Sequence, residues 1–176
     1  MTYNQTRAFQ SVFLFGIMKQ IPLSRGLSAM VDDADFDFLN QWKWSIVESG
    51  KNFYAARAIS SNKKKTGFKM HRVLLGLSDS RYCVDHIDGN GLNNCRNNLR
   101  VCTSAQNAMN RGLYAKSNTG YKGVNFRQDN QKYRARIRVS GKLICIGHFI
   151  CPIEAARAYN DAAILYHGEF ARLNEL

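Results

Sequence analysis

A chain of 176 residues is long enough for one ordinary domain or for two to three very small ones. Apolar residues make up 45% of it, which excludes wholesale disorder, and no apolar run reaches the length that crosses a bilayer. The net charge of +12 favours a polyanionic partner, and without a membrane span nucleic acid is preferred over an anionic membrane; a basic, solvated surface is the bland alternative.

In chain order, residues 1–18 read as an upstream extension or tail. Within them VFLFGIM (12–18) follows Arg7 and faintly suggests a signal peptide, but no small-residue cleavage site follows. Met18 is the expected natural start. Residues 19–77 read as a β-rich region. IPLS and GLSAMV are short strands around a turn at Arg25-Gly26. Asp32 and Asp33 are expected to cap a short helix, DADFDFLNQ, with Phe36, Leu39 and Phe38 on its buried side. KWSIVES and FYAARAIS are expected to form a hairpin across Gly50-Lys51-Asn52. Asn62 to Gly67 reads as a basic turn, ordinarily a solvated loop but here able to touch a phosphate backbone. FKMHRVLLG then returns to the core as a helix.

Residues 78–111 form the next unit, with a polar connector at 78–82 and a helix expected from about Ser104. Residues 112–120 are a linker rich in Gly, Ser and Asn. Residues 121–176 close the chain. YKGVNFR, KYRARIRVSG and KLICIGHF are strand candidates, separated by the hairpin chemistry of Asp129-Asn130-Gln131 and Ser140-Gly141. Residues 152–166 read as a helix. Pro152 suits its first position, and Ala155, Ala156, Tyr159, Ala162, Ala163 and Tyr166 fall at helical spacing before Gly168. The fold class is α+β. The five cysteines, at 83, 95, 102, 145 and 151, include no CxxC pair, which argues against a zinc ribbon. They read as reduced, mostly buried thiols of a cytosolic chain.

The most informative stretch is VDHIDGNGLNNCRNNLRVCTSAQN. It places Asp85 and His86 side by side on an apolar strand, then runs through an asparagine-rich loop to Asn107. A lone Asp-His pair is usually a surface feature or a cap. So many asparagines at set intervals have no simple packing reason. Phosphodiester hydrolysis needs an activated water, charge neutralisation at phosphorus and help for the leaving oxygen, and a hard divalent ion held by oxygens meets the last two needs. Asp85 and Asn107 are the candidate metal ligands. His86 points to the opposite side of the strand from Asp85 and is the candidate general base. Asn98 is placed to pin the loop through side-chain to backbone bonds, and Asp88 belongs to a turn.

The string DHIDGNGLNNCRNNLRVCTSAQN closely resembles the HNH endonuclease motif, in the branch whose last ligand is Asn. KMHRVLLGL resembles the segment that precedes it in phage and intron-encoded members. The resemblance implies a ββα-metal finger around one divalent ion, Mg²⁺ with Mn²⁺ as the alternative. It implies Asp85 and Asn107 as ligands, with His86 and Asn98 in the catalytic roles of base and loop-holding residue.

In KYRARIRVSG, Arg134, Arg136 and Arg138 alternate with apolar residues, so the arginines share one sheet face and the helix covers the other. Arg127, Lys132 and Lys142 add to a run of six basic residues against Asp129 alone, whereas an ordinary solvated face mixes in Glu and Thr. A small basic sheet fits the major groove of DNA, where Arg pairs with guanine. Residues 119–175 resemble the APETALA (ethylene-response-factor) DNA-binding domain, with Lys122, Arg127, Arg136 and Arg138 at DNA-contacting places. Asn125, Leu143 and Cys145 depart from that family, so its target sequence does not carry over.

The expectation is a metal-dependent DNA endonuclease of homing or mobile-element type. It would act on double-stranded DNA as a monomer or DNA-dependent dimer, without a membrane or small-molecule cofactor, in the cytoplasm of a bacterium or phage-infected host. A non-catalytic DNA-binding regulator with a decayed finger is the alternative. An RNA-directed protein is a third reading, though a groove-fitting sheet suits B-form DNA better than A-form RNA.

Overall fold

The computed structural model describes residues 17–50, 52–61, 64–113 and 117–176, with no account of the side chains of 60–65. The expectations for residues 1–16, for Lys51, for Asn62 and Lys63 and for the linker's 114–116 therefore lie outside the described residues. No helix among those described is long and apolar enough to cross a membrane.

Two strands, β1 (Met18–Pro22) and β2 (Ser28–Asp32), pair antiparallel and lead into helix α1 (Asp33–Asn40). Leu39 is fully buried under α1 and Phe36 packs beside it, but Phe38 is exposed. Asp32 occupies the cap position without capping: its carboxylate accepts the Arg96 amide instead, at 2.7 Å. Strands β3 (Ser45–Ser49), β4 (Asn52–Ser61) and β5 (Lys64–Lys69) form an antiparallel sheet in that order. The expected basic turn is thus shorter than its six residues, because Lys64 to Gly67 pair with β4. The helix that follows is only α2 (Met70–Leu74).

A second hairpin joins β6 (Cys83–His86) to β7 (Leu99–Cys102), and helix α3 (Ser104–Met109) follows. Thr103 begins α3 with a capping box, bonding Gln106 reciprocally. Val84 and Leu99 share one buried cluster with Ile21, Val31, Leu39, Trp44 and Met70, so this hairpin rests on the N-terminal region's core. The long loop between its strands is sewn to β2 through Met30, which exchanges backbone bonds with Leu92 and Asn94. Gly91 is required where that loop meets β4: a Cβ there would lie 2.7 Å from the Tyr54 ring.

The last unit is a sheet of β8 (Val124–Arg127), β9 (Lys132–Val139) and β10 (Lys142–Phe149), with β9 central, packed on helix α4 (Pro152–His167). β8 starts later than the sequence pattern suggests, because Gly123 turns the backbone at φ +77°. Ser140 and Gly141 both take positive φ, as a tight primed hairpin turn demands. Val124, Ala135, Ile137, Ala155, Ala156, Tyr159 and Ala163 fill the space between sheet and helix. The α4 alanines let the helix approach closely. Asn174 ties the tail back, accepting the Lys122 amide at 2.6 Å and receiving Asn160 at 3.0 Å. All five cysteines are free, but only Cys95 and Cys102 are buried, and Cys145 is exposed on β10.

Candidate active site

Asp85 and His86 end strand β6, and both are buried. The strand's alternation sends them to opposite sides. Asp85 turns toward β7 and α3, where Arg100 donates to its Oδ2 through Nε at 2.8 Å and Nη2 at 2.6 Å. The Asn110 amide nitrogen lies 3.0 and 3.1 Å from the two Asp85 oxygens and 2.9 Å from the His86 carbonyl. His86 turns toward the N-terminal sheet. Its ring lies 5.0 Å from that of His71 on α2 and 5.8 Å from that of Tyr54 on β4. A cleft of about 1340 Å³ wraps the strand end, so that Asp85, His86, Asn107, Tyr54, Lys69 and His71 all line it.

Burial lowers the His86 pKa. Asn94, Asp88 and Asp85 oppose that, and the net shift is still downward. Burial also takes His71 down to about 3, helped by His86, Lys69 and Arg72. Both imidazoles are therefore neutral at pH 7. The His86 Nε2 atom is buried without a hydrogen-bond partner. Asn94 Oδ1 likewise meets no donor at full hydrogen-bond geometry, although its amide favours the protonated ring. A neutral imidazole that lines a cleft is chemically a base.

The asparagines hold the loop. Asn98 Oδ1 accepts the Asp88 amide at 3.0 Å, and its Nδ2 donates to Asp88 Oδ1 and to the Asn93 carbonyl, each at 2.9 Å. Asn93 donates to the other Asp88 oxygen at 2.8 Å. Burial works to raise the Asp88 pKa, but the Asn90 amide, Asn93 and Asn98 outweigh it and the net shift is downward. Asp88 is engaged by the loop through both carboxylate oxygens.

Among the described residues no group of three or more His, Cys, Asp and Glu side chains gathers as a metal cluster. The donors that do fit a hard ion are oxygens: Asp85 Oδ1, which accepts from no cation, and the Asn107 carboxamide on α3, both lining the cleft. Residue types this sparse suit an ion whose other places go to water and to an anionic substrate.

On the C-terminal sheet, Lys132, Arg134, Arg136 and Arg138 share the face away from α4, in register with Asn125 and Arg127 on β8 and with Leu143, Cys145 and His148 on β10. Arg127 pairs with Asp129 at 2.5 Å, Arg136 Nε donates to Asn125 at 3.1 Å and Arg138 to the Gly141 carbonyl at 2.7 Å. Arg134 Nε is buried without a partner. Two of the six candidate DNA contacts stand elsewhere. Lys142 faces Val139, in phase with the helix side. Lys122 donates to the Met109 carbonyl at the end of α3, and burial lowers its pKa to about 8.

Residues 74–109 match the HNH endonuclease family. An uncharacterized HNH endonuclease of Acanthamoeba polyphaga mimivirus is 31% identical over 146 residues, covering 80% of this chain and 75% of that protein. The chain belongs to the HNH endonuclease family. Protein 3.8 of Escherichia phage T7 is 33% identical over 61 residues, 35% of this chain and 50% of its own length. The matched stretch in the HNH family begins at α2 and ends with α3, so it contains Asp85, His86, Asn98 and Asn107. It also contains Arg100, which sequence reasoning missed although Arg100 stands opposite Asp85 in the hairpin register. Asn110, one turn beyond Asn107, was missed as well. His71, just upstream, lay in the quoted KMHRVLLGL but carried no role.

Proposed function

We propose that the chain is a metal-dependent DNA endonuclease of homing or mobile-element type. The hairpin of β6 and β7 with α3 is its ββα-metal finger. The observation that carries the reading is His86: a buried, neutral imidazole that lines the cleft beside Asp85. In this reading Asp85 and Asn107 hold one Mg²⁺ or Mn²⁺ ion, which when bound supplies charge neutralisation at phosphorus and help for the leaving oxygen. The His86 imidazole takes the proton of the attacking water. Asn98 keeps the loop folded around the base, and Arg100 fixes the Asp85 carboxylate.

The C-terminal sheet is the DNA-positioning unit, of APETALA type, with the face of Arg127, Arg134, Arg136 and Arg138 in the major groove. Support comes from the sheet-on-helix packing and from the basic face in register. Lys122 and Lys142 stand off that face and drop to a minor part. The partner is double-stranded DNA, bound by one copy or by a DNA-dependent pair.

Incubation with supercoiled plasmid in Mg²⁺ and in EDTA, beside His86→Ala, tests the reading. Metal-dependent nicking or linearisation is expected, with a loss of about 10²–10⁴-fold in the variant, as removal of a general base costs. DNA binding without cleavage by the unmodified chain, across a library of target sequences, would favour the non-catalytic regulator instead.

A further inference from the structure

The C-terminal unit meets Asp85 through the Arg100 guanidinium. Arg100 spends Nε and Nη2 on Asp85 Oδ2, and its Nη1 donates to the Glu169 carbonyl. Its guanidinium lies over the Phe170 ring, 4.0 Å from the centroid. Glu169 and Phe170 belong to the 3-10 turn, Gly168–Phe170, that follows α4, and Phe170 is buried. Only 12% of the Arg100 side chain is exposed. Two residues on, Arg172 donates to the Asp88 carbonyl at 3.2 Å, on the loop that Asn98 holds.

These contacts have a consequence for Asp85. With Oδ2 fixed by two donors from one planar group and the Asn110 amide shared between the two oxygens, the carboxylate keeps a single orientation in which Oδ1 is the oxygen that meets no cation. Partners of this kind tune a ligand's orientation and basicity without touching the ion. Arg100 is itself a long, flexible side chain on a two-stranded hairpin, and nothing within that hairpin stacks on its guanidinium. The aromatic face and the carbonyl that fix it both come from the far end of the chain.

Resting on the functional reading above, we propose that the C-terminal unit completes the nuclease centre: Phe170 and the Glu169 carbonyl position Arg100, and Arg100 positions Asp85 for its divalent ion. Phe170 and Arg100 are positioning residues. If Arg100 served only to neutralise a buried carboxylate, the aromatic ring under it would not matter.

The test uses the full chain and Mn²⁺ alone, titrated by electron paramagnetic resonance for the unmodified protein, Phe170→Leu, Phe170→Tyr and Arg100→Lys. Thermal melting and duplex binding in EDTA run beside it. Phe170→Leu and Arg100→Lys should lose about 10- to 100-fold in Mn²⁺ affinity, the usual effect of removing a ligand's outer partner. Phe170→Tyr, which keeps the ring, should stay near the parent, and duplex binding in EDTA should not change. A Phe170→Leu protein that melts and binds Mn²⁺ like the parent overturns the proposal, as does an equal loss in Phe170→Tyr. If Phe170→Leu fails to fold, Arg100→Lys decides alone, and parental Mn²⁺ affinity there is fatal. An unmodified chain that neither binds Mn²⁺ nor cuts DNA removes the functional reading and this coupling together. One that does both, with variants indistinguishable from it, removes the coupling only.

Discussion

Between α4 and its sheet the buried side chains are mostly apolar, Val124, Ala135, Ile137, Ala155, Ala156, Tyr159 and Ala163, with Asn160 and His167 of α4 the polar exceptions, whereas around the β6–β7 hairpin they include Asp85, His86, Asn94 and Asn98. The first unit has an interior that would suit many small domains, and its arginines lie on the outer face. The second carries its chemistry inside, and its loop is shaped by side-chain hydrogen bonds rather than by apolar contact. A polar interior is stable only when its groups are paired, so it specifies one arrangement and tolerates little loss. An apolar interior is non-directional but intolerant of added volume at its tightest points. The two units should therefore fail in different ways.

The largest effect is expected where the apolar unit is tightest. A methyl at residue 123 would collide with the Tyr159 ring and sit 2.8 Å from the Arg136 carbonyl, at a φ of +77° that L-residues avoid. Gly123→Ala should cost about 4 kcal/mol, adding left-handed strain to overpacking. Melting of the full chain checks this. A change of a few tenths of a kcal/mol would mean that the sheet and α4 part more easily than their packing implies.

The polar unit should instead respond to pH. His71 titrates near 3 when folded and near 6.5 when unfolded, so the unfolded chain binds the extra proton between those values. Stability is then full above about pH 6.5 and falls as the pH drops toward 3. The loss reaches about 3 kcal/mol at pH 4. His86 and Asp88, both lowered by folding, push in the same direction. Melting from pH 7 to pH 4 should show the decline, and His71→Gln should flatten it. An equally steep decline in that variant would move the effect to other groups.

Asn98→Ala is expected to come next, at about 2–3 kcal/mol, because it strips partners from the Asp88 amide, the Asp88 carboxylate and the Asn93 carbonyl together. Chemical denaturation measures it. A cost below about 0.5 kcal/mol would show that water replaces the asparagine and that the loop does not depend on it.

What could be read from the sequence divides along the same line. The C-terminal strands and α4 announce themselves through period-2 and helical spacing, because burial of a continuous apolar face imposes that spacing locally. Asp85, His86, Asn98 and Asn107 stood out because one short string holds them. Phe38 misled, since an aromatic residue at the edge of a short amphipathic helix has no sequence mark for exposure. Asp32 misled for a different reason: a carboxylate at a helix start looks like a cap, and its true donor, the Arg96 amide, lies 64 residues away. Arg100, Asn110 and His71 were hidden because their roles depend on hairpin register, on where α3 ends and on which helix packs over His86. The Thr103–Gln106 capping box was open to view and passed over.

The smallest effect concerns the outer face of the C-terminal sheet, where geometry separates arginines that the alternation pattern treats alike. Arg136 is held by Asn125 on the neighbouring strand, whereas Arg138 is exposed and bonds only the adjacent turn. A guanidinium fixed by a neighbour is ready to meet a base edge at little entropic cost. One at the tip of a hairpin reaches a phosphate more readily. Arg136→Ala should therefore cost about 1–2 kcal/mol on the preferred target and little on random duplex. Arg138→Ala should weaken both alike and lower the salt dependence of binding by about one counterion. Titration of each variant against selected and random duplexes at several salt concentrations distinguishes the two. Equal behaviour would mean that the Asn125 contact does not sort the arginines. A loss of specificity from Arg138 instead would place the base-reading end of the sheet at the Ser140-Gly141 turn.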